Sequence, residues 1–199
     1  MDFLYFRTGN SKMFIQTEAT PNPSTLKFVP GKPVLSSGTR DYRDQGEATT
    51  ESPLAARIFD VDGVEGVFFG TDFISVTKGE GDWQHLKPMI LGAIMDHYMS
   101  EAPVLTGEQT ASSDDERNFD DKDEATVNTI KELLETRVRP AVAQDGGDIV
   151  FHAYREGIVY LHMRGACAGC PSSTATLQNG IENLLKHFLP EIKEVRPAA

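Results

Sequence analysis

The chain is short of three things: cysteine, positive charge and long apolar runs. Only 2 of its 199 residues are cysteine, which excludes a scaffold stapled by several disulfides. It has 19 Lys and Arg but 30 Asp and Glu, so it lacks the basic surface of general nucleic-acid or anionic-membrane binders. Apolar runs such as residues 89–95 are far shorter than the ~20 residues that span a bilayer, and none has a signal-peptide layout. We therefore expect a soluble protein with no nucleic-acid and no membrane partner.

The negative charge is concentrated in one segment. Residues 101–123 contain eight acids and two bases, a net −6 of the total −11. Few of these residues are apolar, and the segment has no periodicity, which predicts a flexible linker that repels itself. We therefore predict an α+β protein of two small α+β domains, residues 13–100 and 124–199, joined by an acidic linker at 101–123.

The N-terminal domain is predicted from short strand patterns and one long helical pattern. Its predicted elements are, in order, strands at 14–17 and 26–29, a polar loop at 36–51, a short helix at 53–59, a hairpin of 64–69 with 73–76, and a helix that begins after Asp82. We find no cluster of His, Cys or paired carboxylates in this domain, and we assign it by default to partner recognition or placement.

The C-terminal domain has a clearer pattern. Its predicted order is helix, strand, strand, helix, strand: a helix after Asp123 that ends at Arg139-Pro140, a turn at 145–148, a hairpin of 149–154 with 158–163, a cysteine loop at 165–171, a helix from Pro171, and a strand near 191–195. We interpret Asp145 and Asp148 as turn residues because Gly146-Gly147 lies between them, although two carboxylates also suggest a cation site.

Cys167-Ala168-Gly169-Cys170 allows four interpretations. Two buried core thiols are the simplest, but a glycine-bearing loop at a helix start favours thiolate, the form that binds metal or attacks disulfides. A thiol–disulfide oxidoreductase requires the motif after the first strand of a βαβ unit, whereas here a hairpin precedes it. A zinc-binding interaction module needs four ligands, and His152 or His162 would have to complete the set.

The fourth interpretation is an iron–sulfur cluster. A cubane cluster needs four thiolates, and one chain has two, so two chains meeting at Cys167 and Cys170 would complete the set across a two-fold interface. Gly165 and Gly169 would allow backbone N–H groups to approach the cluster sulfides. A cluster held this way is also easier to surrender than one enclosed by a single chain.

The chain resembles a known family at two places. Arg139-Pro140, Asp145-Gly146-Gly147-Asp148 and Gly165-Ala166-Cys167-Ala168-Gly169-Cys170-Pro171-Ser172-Ser173 resemble the NifU C-terminal (Nfu-type) iron–sulfur scaffold domain. Residues 16–28, QTEATPNPSTLKF, resemble the domain that precedes it in mitochondrial and related bacterial Nfu proteins. The resemblance implies a scaffold or carrier that binds a [4Fe-4S] cluster, with Cys167 and Cys170 as its ligands, and delivers it to apoproteins.

The expected protein is therefore not an enzyme. It forms a homodimer when the [4Fe-4S] cluster is shared by two subunits, and its other partners are recipient apoproteins and upstream assembly proteins. Residues 1–12 contain Asp2 and only two bases, which makes a poor transit peptide and favours a bacterial cytoplasm over a mitochondrial matrix. Met13 is an alternative start.

Overall fold

The fold is known from a computed structural model that describes residues 14–107, 118–169 and 171–198, with only the backbone for 171–173. It contains two sheets, and each sheet packs on helices around its own hydrophobic core. The predicted α+β class is confirmed. No helix in these ranges combines the length and apolar composition needed to cross a membrane.

The N-terminal sheet has five antiparallel strands in the order β1-β2-β5-β4-β3. The elements are β1 (Gln16–Ala19), β2 (Thr25–Val29), β3 (Arg40–Tyr42), α1 (Gln45–Glu51), α2 (Pro53–Phe59), β4 (Val64–Phe69), β5 (Ile74–Lys78) and α3 (Trp83–Met99). The core-facing residues of β4 and β5 alternate with residues on the opposite face, as a strand requires. Val67, Phe69, Ile74 and Val76 lie in the core with the apolar residues of α2 and α3.

The predicted loop at 36–51 is wrong, because this segment contains β3 and α1. Asp44 caps α1 by accepting hydrogen bonds from the N–H groups of Gly46 and Glu47 at 2.8 and 3.1 Å. The segment also buries Tyr42 and Ala48 in the core. Its polar composition hid these elements, because short edge elements are stabilised by tertiary packing more than by their own periodicity.

The C-terminal sheet has three strands in the order β6-β7-β8, with β6 and β7 antiparallel and β7 and β8 parallel. The elements are α4 (Glu124–Leu133), a π-helical segment (Leu134–Val138), α5 (Arg139–Gln144), β6 (Gly147–Arg155), β7 (Ile158–Gly165), α6 (Pro171–Phe188) and β8 (Glu194–Pro197). The hairpin turn places Glu156 and Gly157 at φ of 51° and 89°. Apolar residues of α4 and α6 cover one face of this sheet.

The first helix of this domain does not end at Arg139-Pro140 as predicted. Pro140 lies in the first turn of α5, directly after the π-helical segment. Proline is tolerated there because the first turn of a helix needs no N–H donor from that residue. The chain therefore stays helical as far as Gln144. The turn predicted at 145–148 is only Asp145 and Gly146, because β6 begins at Gly147.

Both described ends of the acidic segment pack against a core. Val104 and Leu105 contact the N-terminal core, and Phe119 contacts the C-terminal core through Phe151 at a ring distance of 6.4 Å. Residues 108–117, in the middle of the predicted linker, lie outside the described residues. The boundaries 13–100, 101–123 and 124–199 remain predictions.

Candidate functional site

The cysteine loop connects the end of β7 to the start of α6. Its first turn is held by backbone hydrogen bonds: the Ala168 N–H donates to the Gly165 carbonyl at 3.1 Å, and the Cys167 N–H donates to the Arg164 carbonyl at 3.3 Å. Gly165 has a φ of +59°, a conformation that favours glycine. A Cβ there would also lie 2.8 Å from the Gly146 carbonyl oxygen. The loop geometry therefore requires glycine at 165.

Cys167 is buried within the C-terminal core, with 6% of its surface exposed. Its Sγ lies against Gly147, where a Cβ would collide with the sulfur. The hydroxyl of Thr174, on the first turns of α6, donates to the Cys167 carbonyl at 3.2 Å. Cys170, the second predicted ligand, lies outside the described residues, and so does any geometry between the two sulfurs.

The surroundings of Cys167 favour its thiol form over the thiolate. Burial raises the pKa of Cys167 to about 12, and the nearby carboxylates of Asp148 and Asp145 act in the same direction. The sequence predicts a thiolate from the positive end of the following helix, and for Cys167 burial and the two carboxylates act in the opposite direction.

The segment 145–148 contacts the cysteine loop through the backbone. Asp148 accepts two hydrogen bonds from Arg139, from Nε at 2.8 Å and from Nη2 at 2.9 Å, and a third from the Ile149 N–H at 2.8 Å. Gly146 has a φ of +82°, and its carbonyl accepts from the Ala166 N–H at 3.1 Å. Asp148 lies in β6 and not in the turn as predicted, but its oxygens accept from protein donors, which gives it a structural role.

The N-terminal domain reaches this loop, which the sequence did not predict. The side-chain amide of Asn22 donates to the Ala168 carbonyl at 2.9 Å, and the Ser75 hydroxyl donates to the Gly146 carbonyl at 2.6 Å. The Phe68 ring lies over Gly165. The only available signal was Asn22 between two prolines, in a rigid turn that presents one polar side chain.

The two histidines considered for zinc lie next to each other along the hairpin, away from its loop end. His152 Nδ1 and His162 Nε2 are 3.0 Å apart. Gly147 pairs with Gly165 at the loop end of the hairpin, so His152 is about 16 Å further along β6 at the usual rise per residue. Within the described ranges, no group of three or more His, Cys, Asp or Glu side chains is placed to hold a metal ion.

Two family models match the chain. "Scaffold protein Nfu/NifU N terminal" matches residues 15–101, and "NifU-like domain" matches residues 130–196. The second match contains the segment 145–148 and the cysteine loop, and the first contains Asn22, Phe68 and Ser75. The two matches therefore include both sides of the contact described above.

Curated relatives are similar over most of the chain. "NifU-like protein 4, mitochondrial" of Arabidopsis thaliana is 52% identical over 186 residues, which are 92% of this chain and 65% of that protein. "NFU1 iron-sulfur cluster scaffold homolog, mitochondrial" of Homo sapiens is 49% identical over 185 residues, 92% of this chain and 71% of that protein. The chain thus spans about two thirds of the length of these relatives. A solution structure of a NifU-like protein from Saccharomyces cerevisiae covers 48% of this chain and 87% of its own, with 28% identity and a TM-score of 0.43.

Proposed function

Because the chain belongs to the Nfu/NifU family of iron–sulfur cluster scaffold proteins, we propose that it binds a [4Fe-4S] cluster between two copies of itself and transfers it to apoproteins. Cys167 and Cys170 are the proposed ligands. In this role the cluster is cargo, and the protein is a carrier and not an enzyme.

The number of thiols carries the proposal. The chain has two cysteines in all, and a cubane cluster is held by four thiolates. The described residues bring no other group of three metal-binding side chains together. A second copy of the same loop is the simplest source of the missing two ligands, since a two-fold axis presents the same surface on both subunits.

Sharing the ligands also supports a role in delivery. Each chain contributes half of the coordination, so separation of the two chains breaks the site and releases the cluster to a recipient with its own thiolates. Upstream assembly proteins supply the cluster, and iron–sulfur apoproteins receive it. The relatives are named as mitochondrial proteins, which favours the mitochondrial matrix over the bacterial cytoplasm expected from residues 1–12.

The two alternative functions have weaker support. A thiol–disulfide oxidoreductase requires the motif after the first strand of a βαβ unit, whereas here the loop follows the antiparallel hairpin of β6 and β7. A zinc module needs His152 or His162 beside the cysteines. Along the strands His162 is about 10 Å from Gly165, and His152 is further from the loop end.

Anaerobic reconstitution with ferrous iron and sulfide tests the proposal. The full chain should take up about two irons per chain, one four-iron cluster per two chains, and sediment as a dimer. Cys167→Ser and Cys170→Ser should each lose the visible absorption of the cluster. Ala168→Ser is the matched control, because it adds the same hydroxyl to the loop and leaves both thiols. A monomer with four irons, or a Cys→Ser variant with full absorption, would refute the shared site.

Transfer is tested separately. The loaded chain is mixed with an apo-aconitase-type acceptor, with and without an iron chelator, and the recovered activity is followed. Recovery that survives the chelator supports direct handover. Recovery abolished by the chelator means that iron is released into solution, and the carrier role is then wrong.

A further inference from the structure

Two residues on the N-terminal sheet are buried on the face opposite to their own core. Phe68 and Ser75 are direct partners across β4 and β5, and each is 1% exposed. Their chain neighbours Val67, Phe69 and Ile74 are in the N-terminal core, and Phe68 and Ser75 are not. Strand alternation therefore points them to the outer face of the sheet. Something outside the N-terminal core must bury them.

The C-terminal domain buries them. Lys27 pairs with Ser75 across β2 and β5, so Lys27, Ser75 and Phe68 form one cross-strand row, which we call the docking row. Lys27 Nζ donates to the Gln144 carbonyl at 3.0 Å, and the Ser75 hydroxyl donates to the Gly146 carbonyl at 2.6 Å.

Glycines on the opposite side allow this close approach. A Cβ on Gly146 would lie 2.6 Å from the Ser75 hydroxyl oxygen, and a Cβ on Gly165 would lie 2.8 Å from the Phe68 ring. Both positions also have positive φ. At Gly146 and Gly165 the docking row therefore packs directly on the backbone. Larger residues at these two positions would hold the two domains apart.

Two more hydrogen bonds connect the N-terminal domain to the cysteine loop and to the start of β6. Asn22 donates to the carbonyl of Ala168, the residue after Cys167, at 2.9 Å. Asn22 is itself 3% exposed, and its loop is held by the Trp83 indole, which donates to the Pro23 carbonyl at 3.0 Å. On the other side, the Thr39 hydroxyl donates to Asp148 at 2.9 Å. The N-terminal domain thus touches the cysteine loop and the segment 145–148.

We propose that the N-terminal domain is an intramolecular cover for the cysteine loop, and that it competes with a second copy of the chain for that loop. This rests on the proposed function, in which four thiolates from two loops bind one cluster. Asn22 and Phe68 lie against Ala168 and Gly165, which are loop residues that a second loop at the same cluster would approach. The covered chain is therefore the monomeric form without a cluster, and the shared cluster requires the cover to move away.

The covalent connection permits this movement. The two domains are joined through a stretch of ten residues between 107 and 118, and a chain of ten residues reaches at most about 35 Å. The contact itself consists of a few hydrogen bonds and one aromatic ring, each hydrogen bond favouring the covered form by about fivefold. A cluster held by thiolates from two chains is able to overcome a preference of that size.

Ser75→Glu tests the cover. It places a carboxylate against the Gly146 carbonyl and beside Asp145 and Asp148, while the side chain remains on the outer face of its own sheet. Asn22→Asp is the second variant, because it keeps the oxygen that accepts from Ser24 and turns the donor to Ala168 into an acceptor. Gln16→Glu, at an exposed position of β1, adds the same charge away from the contact. Trp83 fluorescence and circular dichroism establish that each variant is folded.

The readouts are small-angle X-ray scattering of the apo chain and the protein concentration at which reconstituted chains dimerise. Ser75→Glu and Asn22→Asp should increase the radius of gyration and lower the dimerisation midpoint by about fivefold or more, and Gln16→Glu should change neither. Folded variants as compact as the wild type would overturn the cover. Expanded variants that dimerise no more readily would overturn the competition. If no variant binds a cluster, the proposed function fails, and scattering still decides whether the cover exists.

Discussion

Gly147→Ala is the substitution whose cost the structure defines most closely. Gly147 is the first residue of β6 and pairs with Gly165 at the base of the cysteine loop. An alanine Cβ would lie 2.8 Å from the Cys167 backbone nitrogen and 2.9 Å from the Arg164 carbonyl oxygen, and would also collide with the Cys167 sulfur. Two of these neighbours are backbone atoms, so the loop itself has to shift.

The expected cost is that of overpacking a core, about 1–3 kcal/mol in the free energy of unfolding. Gly180→Ala is the matched control in the same domain. Gly180 lies on an exposed face of α6, and a Cβ there meets nothing within 4 Å. Alanine within a helix is more stable than glycine by about 0.5–1 kcal/mol. The same chemical change should therefore have opposite signs at the two positions.

Urea unfolding of the full chain, followed by circular dichroism, measures this difference. Gly147→Ala should lower the unfolding midpoint of the C-terminal domain by about 1 M, and Gly180→Ala should raise it. The only tryptophan, Trp83, is in the N-terminal domain, so native fluorescence should be retained in both variants. A Gly147→Ala chain as stable as the wild type would show that Cys167 does not pack on this backbone as described.

Three further predictions follow from buried polar groups. Ser52→Ala should cost about 1–2 kcal/mol of stability by urea unfolding, because the Ser52 hydroxyl accepts from the Ala55 N–H at 3.0 Å and donates to the Val104 carbonyl; Thr49→Ala on exposed α1 should cost less. Asp148→Asn should cost about 1–3 kcal/mol, since it removes the charge paired with the half-buried Arg139; an unchanged midpoint would contradict this pairing. Burial lowers the pKa of His97 in the folded chain, with the nearby Arg57 acting in the same direction, so its unfolded form binds a proton first and stability should fall as pH drops below about 6.5. His97→Leu should flatten that part of the stability-versus-pH curve, and an equally steep curve would refute the assignment.

Local signals located many elements of the fold. Proline after Ser52 marked the start of α2, and alternation on either side of residues 70–72 marked the β4–β5 hairpin. The apolar repeat after Asp82 marked α3. Proline restricts the local backbone, and a regular apolar pattern indicates which face of an element is buried. Both signals are present in the sequence without knowledge of tertiary contacts.

Where tertiary contacts decided the structure, the sequence prediction was wrong. Residues 36–51 are polar, and β3 and α1 exist because β4 offers an edge and the core accepts Tyr42. Pro140 indicated the end of a helix, yet the π-helical segment before it rearranges the hydrogen bonds so that α5 continues. Both outcomes depend on partners that are remote in the chain or on hydrogen-bond register, which residue preferences do not encode.

The sequence by itself determined the chemistry of this protein: two thiols three residues apart, beside glycines, with half the ligands that a cubane cluster needs. Only the tertiary structure decided the state of that site. Phe68 and Ser75 alternate outward and would be assigned to solvent from the pattern alone, but the C-terminal domain buries them. Burial in the C-terminal core and the carboxylates of Asp148 and Asp145 raise the pKa of Cys167, because desolvation and charge act through space and depend on packing.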